Sequence, residues 1–203
     1  LKPYLDLGEM LGDLMSQLNK EPINQVIIEC KGNIEDIRPI SLATLKGILS
    51  PNLPDRVNYI NAEAIAKELG INIEIGYSNM DSNYNNLISL KVLTENNTFR
   101  LDGSIFDDLK PRLVNVLGRE MEVTPKGAML FIENVDVPGV IGRVGTLLGN
   151  RDINIAAYLL SRKNQNGKAF AVIRIDDSVE LEDINELRKL KEVEKVQYIT
   201  VNT

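Results

Sequence analysis

The sequence predicts an α+β chain in two parts, and three observations predict it. Helical apolar spacing and strand-like alternation both recur along its 203 residues. A breaker pair falls at Pro125-Lys126-Gly127, and the stretch after it reads strand, helix, strand, strand, helix, strand. Length allows one or two domains, and 43% hydrophobic content is enough for a sizeable core.

The first part, residues 1–125, opens with a helix over residues 4–19, where Leu7, Met10, Leu11, Leu14, Met15 and Leu18 fall at helical spacing. Ile23 to Lys31 reads as a strand ending at Gly32. Ser41 is the expected cap of a short helix carrying Leu42, Leu45, Ile48 and Leu49. A third helix is expected over residues 57–70, with Asn58 or Asn61 at its start and Gly70 just past its end. Ile71 to Ile75 alternates as a half-buried strand does, and the polar residues 78–86 read as a loop. Leu87–Thr94 and Thr98–Ile105 make a hairpin around Glu95-Asn96-Asn97, and a further hairpin spans Pro111–Gly118 and Glu120–Val123.

The second part, residues 126–203, begins with a strand over Ala128–Glu133. The turn Asn134-Val135-Asp136-Val137-Pro138-Gly139 leads into a helix over Val140–Asn150. A strand over Ile153–Arg162, a turn at Asn164-Gln165-Asn166-Gly167 and a strand over Lys168–Asp176 follow. A helix from Val179 to Leu190 and a strand over Val193–Val201 complete a βαββαβ order, the ferredoxin-like arrangement.

Composition removes several classes of function. With no histidine, Ser-His-Asp and Cys-His catalysis and histidine-ligated metals are out of reach. The one cysteine, Cys30, lies in an apolar run and reads as a buried, inert thiol, which excludes a disulfide framework or a multi-thiolate zinc site. A net charge of −6 argues against a nucleic-acid binder. No apolar run approaches the roughly 20 residues of a membrane span, and no signal peptide opens the chain. The expectation is a soluble cytoplasmic protein.

Gly139, Gly142, Gly145 and Gly149 crowd one short helix, and each interior glycine costs about 1 kcal/mol relative to alanine. The dinucleotide fingerprint does not account for them, since Gly139 and Gly142 are too widely spaced for Gly-x-Gly, and no Walker pattern exists. Close approach of a backbone or ligand at Gly142 and Gly145 is the better reason, with Val140, Ile141, Val144, Leu147 and Leu148 as the stripe facing the sheet. The first-turn amides after Pro138-Gly139 lack intrahelical partners and suit a carboxylate. Asp136 suits an ammonium, and the amides of Asn134 and Asn154 can donate and accept. Taken singly, Asp136 reads as a helix cap and Asn154 as a turn residue. Together they mark a candidate amino-acid site formed by Asn134, Asp136, Pro138, Gly139, Val140, Ile141 and Asn154.

The run from Asn134 to Gly142, continued by Ile153-Asn154-Ile155-Ala156, resembles the ACT domain, a regulatory module that binds amino acids. Leu1-Lys2-Pro3-Tyr4-Leu5, Leu11-Gly12, Leu45-Lys46-Gly47-Ile48-Leu49 and Val57-Asn58-Tyr59-Ile60-Asn61-Ala62 resemble the intervening, allosteric-substrate-binding domain of the long-form D-3-phosphoglycerate dehydrogenase family. The resemblance runs end to end. It implies the carboxy-terminal regulatory part of an NAD-dependent enzyme of serine biosynthesis. It also implies ACT domains that pair edge to edge into a homo-oligomer, with L-serine bound at the seam as feedback inhibitor by Asn134, Asp136 and Asn154. No catalytic or NAD-binding domain stands in this sequence, so NAD is expected only on domains outside it.

The same resemblance implies that the first domain can bind phosphate or a phosphorylated acid. Arg112 and Arg174 each interrupt an apolar strand, and with Lys126 they form the candidate anion site. The plainer reading is pairing with Asp102 or Asp176, or snorkelling to the sheet rim. Two other functions compete with serine sensing. A subunit of L-serine dehydratase needs several cysteines for its iron–sulfur cluster, which this chain lacks. A ligand-independent assembly module would use the glycines for backbone contact alone.

Overall fold

The computed structural model describes residues 1–34, 36–79, 82–163 and 167–202. The chain divides into two compact units, Leu1–Thr124 and Pro125–Thr203. Each holds its own sheet, and mixed helix and strand run through both.

In the first unit α1 (Lys2–Leu18) buries Leu7, Leu11, Leu14, Met15 and Leu18, the expected stripe. It packs on α2 (Ile37–Leu49) and over the six-stranded sheet β2-β1-β3-β4-β5-β6. The strands are β1 (Gln25–Gly32), β2 (Asn72–Ser78), β3 (Asn86–Leu93), β4 (Thr98–Ile105), β5 (Pro111–Val116) and β6 (Arg119–Val123). Only β1 and β2 pair in parallel, and α2 with α3 (Ala62–Glu68) makes the crossover between them. The β5–β6 turn places Leu117 and Gly118 both at positive φ, 52° and 83°, as a tight two-residue hairpin requires.

Two helix starts differ from expectation. Asp36, not Ser41, caps α2, its carboxylate accepting from the Arg38 amide at 3.2 Å. Ser41 is buried inside the helix with its hydroxyl donating to Ile37 O. Pro39 falls in the first turn of α2, where a proline interrupts no helical bond. Similarly, α3 is shorter than the pattern promised. Asn58 accepts from the amides of Ile60 and Asn61, and Asn61 accepts from the Asn58 amide, so side chains hold residues 58–61 in a turn ahead of the helix.

The second unit has the order β7 (Gly127–Val135), α4 (Val140–Asn150), β8 (Ile155–Lys163), β9 (Lys168–Ile175), α5 (Leu181–Arg188), β10 (Val193–Val201). Its antiparallel sheet runs β10-β7-β9-β8, the ferredoxin-like arrangement. Leu130, Ile132, Ala171, Ile173 and Val196 from the strands meet Val140, Val144, Leu148, Ile184 and Leu187 from the helices in one core. The turn expected at 164–167 lies, Gly167 apart, outside the described residues. Among the described residues no helix is long and apolar enough to cross a membrane.

Two expectations for α4 need correction. Ile141 is 49% exposed rather than core-facing. A Cβ on Gly142, Gly145 or Gly149 would meet nothing within 4 Å, so no close approach within the chain explains these glycines.

Candidate functional site

The turn from β7 into α4 is tied down on three sides. Val135 N donates to Glu192 O at 2.8 Å, Asp136 N to Gly167 O at 2.7 Å and Val137 N to Val135 O at 3.0 Å. Pro138 then contributes no N–H, and Gly139 caps α4 at φ +91°, a conformation that L side chains rarely adopt. Gly139 O accepts the first helical bond, from Arg143 N at 3.0 Å. Among the described residues no side chain caps the helix, and no acidic residue stands in its first turn, so the amides of Val140 to Gly142 keep their donor capacity. Arg143 braces the outer side of the turn, with Nη2 2.7 Å from Glu192 Oε1.

At this mouth lies a cavity of about 410 Å³. The turn and helix start supply Asn134, Asp136, Val137, Pro138, Gly139, Val140 and Ile141, while the strands supply Leu160, Arg162 and Ala169. Asn134 is 3% exposed. Its Nδ2 donates to Val135 O at 2.8 Å, but no described residue donates to its buried Oδ1. A buried acceptor left unmet costs about 1–3 kcal/mol, so a donor placed against this oxygen is favourable. Across the cavity Asp136 Oδ2 and Arg162 Nε stand 3.4 Å apart, both partly open to solvent. The walls therefore carry free amides, an acceptor, a carboxylate and a guanidinium: the complement of a small zwitterion. Among the described residues no cluster of acidic, cysteine or histidine side chains could hold a metal.

Residues 1–117 match the family described as D-3-phosphoglycerate dehydrogenase intervening domain, and residues 128–192 match the ACT domain. The chain belongs to the D-3-phosphoglycerate dehydrogenase intervening-domain family. It is 35% identical over 201 residues to D-3-phosphoglycerate dehydrogenase of Bacillus subtilis, covering 98% of this chain and 38% of that protein. With the same enzyme of Methanocaldococcus jannaschii it shares 34% over 203 residues, covering 99% of this chain and again 38% of the relative. The chain thus spans well under half the length of these relatives. It corresponds to their intervening and ACT, or regulatory, region. A solved ACT domain, from the GTP pyrophosphokinase of Chlorobium tepidum, is 23% identical with a TM-score of 0.30 and covers 37% of this chain and all of that one.

Six of the seven expected effector residues line the ACT-domain cavity. Asn154 does not. Its Nδ2 donates to Asp176 Oδ2 at 2.6 Å, at the opposite end of β8 from Arg162, a separation of about 25 Å along the strand. The reason is topological: α4 carries the chain back across the sheet, so β8 starts where β7 started rather than where it ended. The same topology brings to the cavity two residues that lie outside the motif. The ends of β7 and β8 share one rim of the sheet, which brings Arg162 and Leu160 to the cavity.

The candidate anion residues are otherwise engaged or scattered along their strands. In the intervening domain Arg112 pairs with Asp108 at 3.1 Å, donates to Pro111 O and lies 5.4 Å from the Phe106 ring centre. Its partner is therefore Asp108, not Asp102, which binds Arg100. In the ACT domain Arg174 is half-buried on β9 between Met129 and Ala157, and Lys126 is exposed. None of the three lines the cavity.

Proposed function

We propose that this chain is the effector-sensing part of an NAD-dependent D-3-phosphoglycerate dehydrogenase, cytoplasmic and homo-oligomeric, and that its ACT domain binds L-serine as feedback effector. The observation that carries the reading is the buried Asn134 Oδ1, without a donor among the described residues, in a cavity bounded by an uncapped helix start and the Asp136–Arg162 pair. Serine's hydroxyl or ammonium donates to Asn134 Oδ1, and its ammonium faces Asp136. Its carboxylate takes the first-turn amides of α4 or the Arg162 guanidinium. Loss of the 3.4 Å contact between Asp136 and Arg162 costs little, because both are solvent-screened.

The position of Asn154 favours pairing of two copies. β8 is an edge strand, with a row of unpaired backbone groups. Antiparallel pairing of β8 with its copy about a two-fold near Tyr158 sets Asn154 of one copy beside Arg162 of the other, completing the expected residue set. Serine then binds the paired state better than the unpaired or reoriented one, and that difference in affinity is what shifts an attached enzyme. NAD belongs to that enzyme's nucleotide-binding domain.

Calorimetric titration of the chain with L-serine, glycine and D-serine tests the reading. L-serine binds in preference to the other two, and Asn134→Ala and Asp136→Asn each weaken it by about tenfold or more. Binding of none of them removes serine sensing. Light scattering with and without serine then separates a sensor from an assembly module, which stays paired whatever is added.

A further inference from the structure

The register places three residues of the ACT-domain cavity in one row across its sheet. Asn134 on β7 stands beside Ala169 on β9, and Ala169 beside Arg162 on β8. All three line the cavity at the mouth of α4. The outer two have Cα atoms two strand spacings, about 10 Å, apart, and Ala169 between them carries only a methyl group. The next row along, Ile132, Ala171 and Leu160, is apolar and packs against the helices. Two polar side chains therefore flank a short apolar floor.

Arg162 ends this row on the edge strand. Its Nε lies 3.4 Å from Asp136 Oδ2, longer than a well-formed charge-assisted hydrogen bond, and its side chain is 64% exposed against 30% for Asp136. A pair this open contributes little to stability. Its use is better sought in the charge pattern it presents. A cation and an anion stand side by side at a cavity whose other lining residues are uncharged.

We propose that Arg162 makes this cavity selective for an α-amino acid, by taking the effector's carboxylate. This rests on the effector reading of the cavity and decides between Arg162 and the α4 amides as the carboxylate's partner. The α4 amides belong to the same turn as Asp136, whose negative charge disfavours a carboxylate there, whereas Arg162 comes from the strand wall. An α-amino acid carries ammonium and carboxylate on one carbon, so its charges are spaced much like those of Asp136 and Arg162. Docked antiparallel to the pair, the ammonium meets Asp136 and the carboxylate meets the planar fork of Arg162. No charge is left over. An amine without the carboxylate brings a net positive charge beside Arg162, and an acid without the ammonium brings a negative one beside Asp136. The hydroxyl of serine, one carbon away, reaches over Ala169 toward Asn134 Oδ1, which has no donor among the described residues. Attachment at Asp136, Arg162 and Asn134 also tells L-serine from D-serine. The exposure of Arg162 sets the size of the effect, since a solvent-screened charge discriminates by about tenfold and not by thousands.

Calorimetric titration of the 203-residue chain, and of its Arg162→Gln and Arg162→Lys variants, uses L-serine and L-serinamide as probes. At about pH 6.5 the α-amino group of both probes is protonated. L-serinamide keeps the ammonium and the hydroxyl and lacks the charge of the carboxylate. The parent prefers L-serine by at least about tenfold. Arg162→Gln lowers affinity for L-serine about tenfold and leaves that for L-serinamide within about twofold, so the preference disappears. Arg162→Lys, which restores the charge without the fork, recovers part of it. An Arg162→Gln chain that weakens both probes equally overturns the proposal, because a structural role alone would do that. If the parent binds neither probe, the effector reading fails and the proposal with it. If L-serine binds with a preference that Arg162→Gln leaves intact, only the role of Arg162 is removed.

Discussion

Gly12 of α1 and Gly47 of α2 meet backbone to backbone. A Cβ on Gly12 would lie 2.2 Å from Thr44 O, and one on Gly47 would lie 2.2 Å from Glu9 O. The crossing therefore depends on two missing side chains. Gly12→Ala or Gly47→Ala must push the helices apart, and a rigid backbone atom cannot give way as a side-chain tip can. Each is expected to destabilise the intervening domain by at least about 2 kcal/mol, although alanine is the better helix former by about 1 kcal/mol. Gly142→Ala is the control, since its Cβ meets nothing, and it should stabilise by about 0.5–1 kcal/mol. Urea denaturation of the three variants checks the contrast.

These same glycines mark what could be read from sequence. Leu11-Gly12 and Leu45-Lys46-Gly47 carried the family resemblance, and the crossing supplies its physical cause. Regular elements were legible because apolar period and turn chemistry agree there: β4, α4 and β10 begin and end where the pattern placed them. The capping of α2 was not, because Ser41 and Asp36 are both good caps and the choice depends on which turn packs against α1. At the candidate site the motif located the turn but not Arg162. A spacing shows which residues are near in the chain, whereas the far end of β8 reaches the cavity only through sheet order.

Cys30 offers a probe of the intervening domain. It is fully buried on β1, and burial, with Glu29 nearby, pushes its thiol up to about 12. At pH 8 the folded chain should be silent toward a disulfide reagent, because almost no thiolate forms and none is reachable. Reaction then reports opening of β1, and its rate should rise in Gly12→Ala by about tenfold for each 1.4 kcal/mol of stability lost. Rapid labelling of the native protein would contradict this placement.

Asp183 makes the ACT domain acid-sensitive. The Arg151 guanidinium bonded to it, with help from the Glu180 amide at 2.9 Å, holds its carboxyl below the ordinary value near 3.9. A depressed native value means that the bond contributes fully above the unfolded pKa and is lost as pH falls through the native one. Thermal unfolding should therefore be insensitive to this group above about pH 5 and weaken below about pH 4. Asp183→Asn should be less stable at neutral pH and should show a flatter decline in acid. Parallel slopes for the two proteins would show that Asp183 does not titrate with folding.

Asn134 should separate folding from sensing. Its buried Oδ1 lacks a donor among the described residues, while Nδ2 holds one bond to Val135 O. Replacement by leucine removes an unmet acceptor, worth about 1–3 kcal/mol of relief, and forfeits one hydrogen bond worth about 1 kcal/mol. The folded ACT domain should then be unchanged or stabilised by about 1 kcal/mol, with Tm held or raised. Affinity for L-serine should fall at least tenfold, because the hydroxyl or ammonium that would satisfy Oδ1 meets a methyl group instead. A residue kept for packing alone would show the opposite pattern, with binding intact in whatever fraction stays folded and stability reduced. Denaturation and calorimetry on Asn134→Leu decide between these outcomes, and Asn134→Asp, which retains the acceptor and adds charge, should keep affinity for an ammonium better than leucine does.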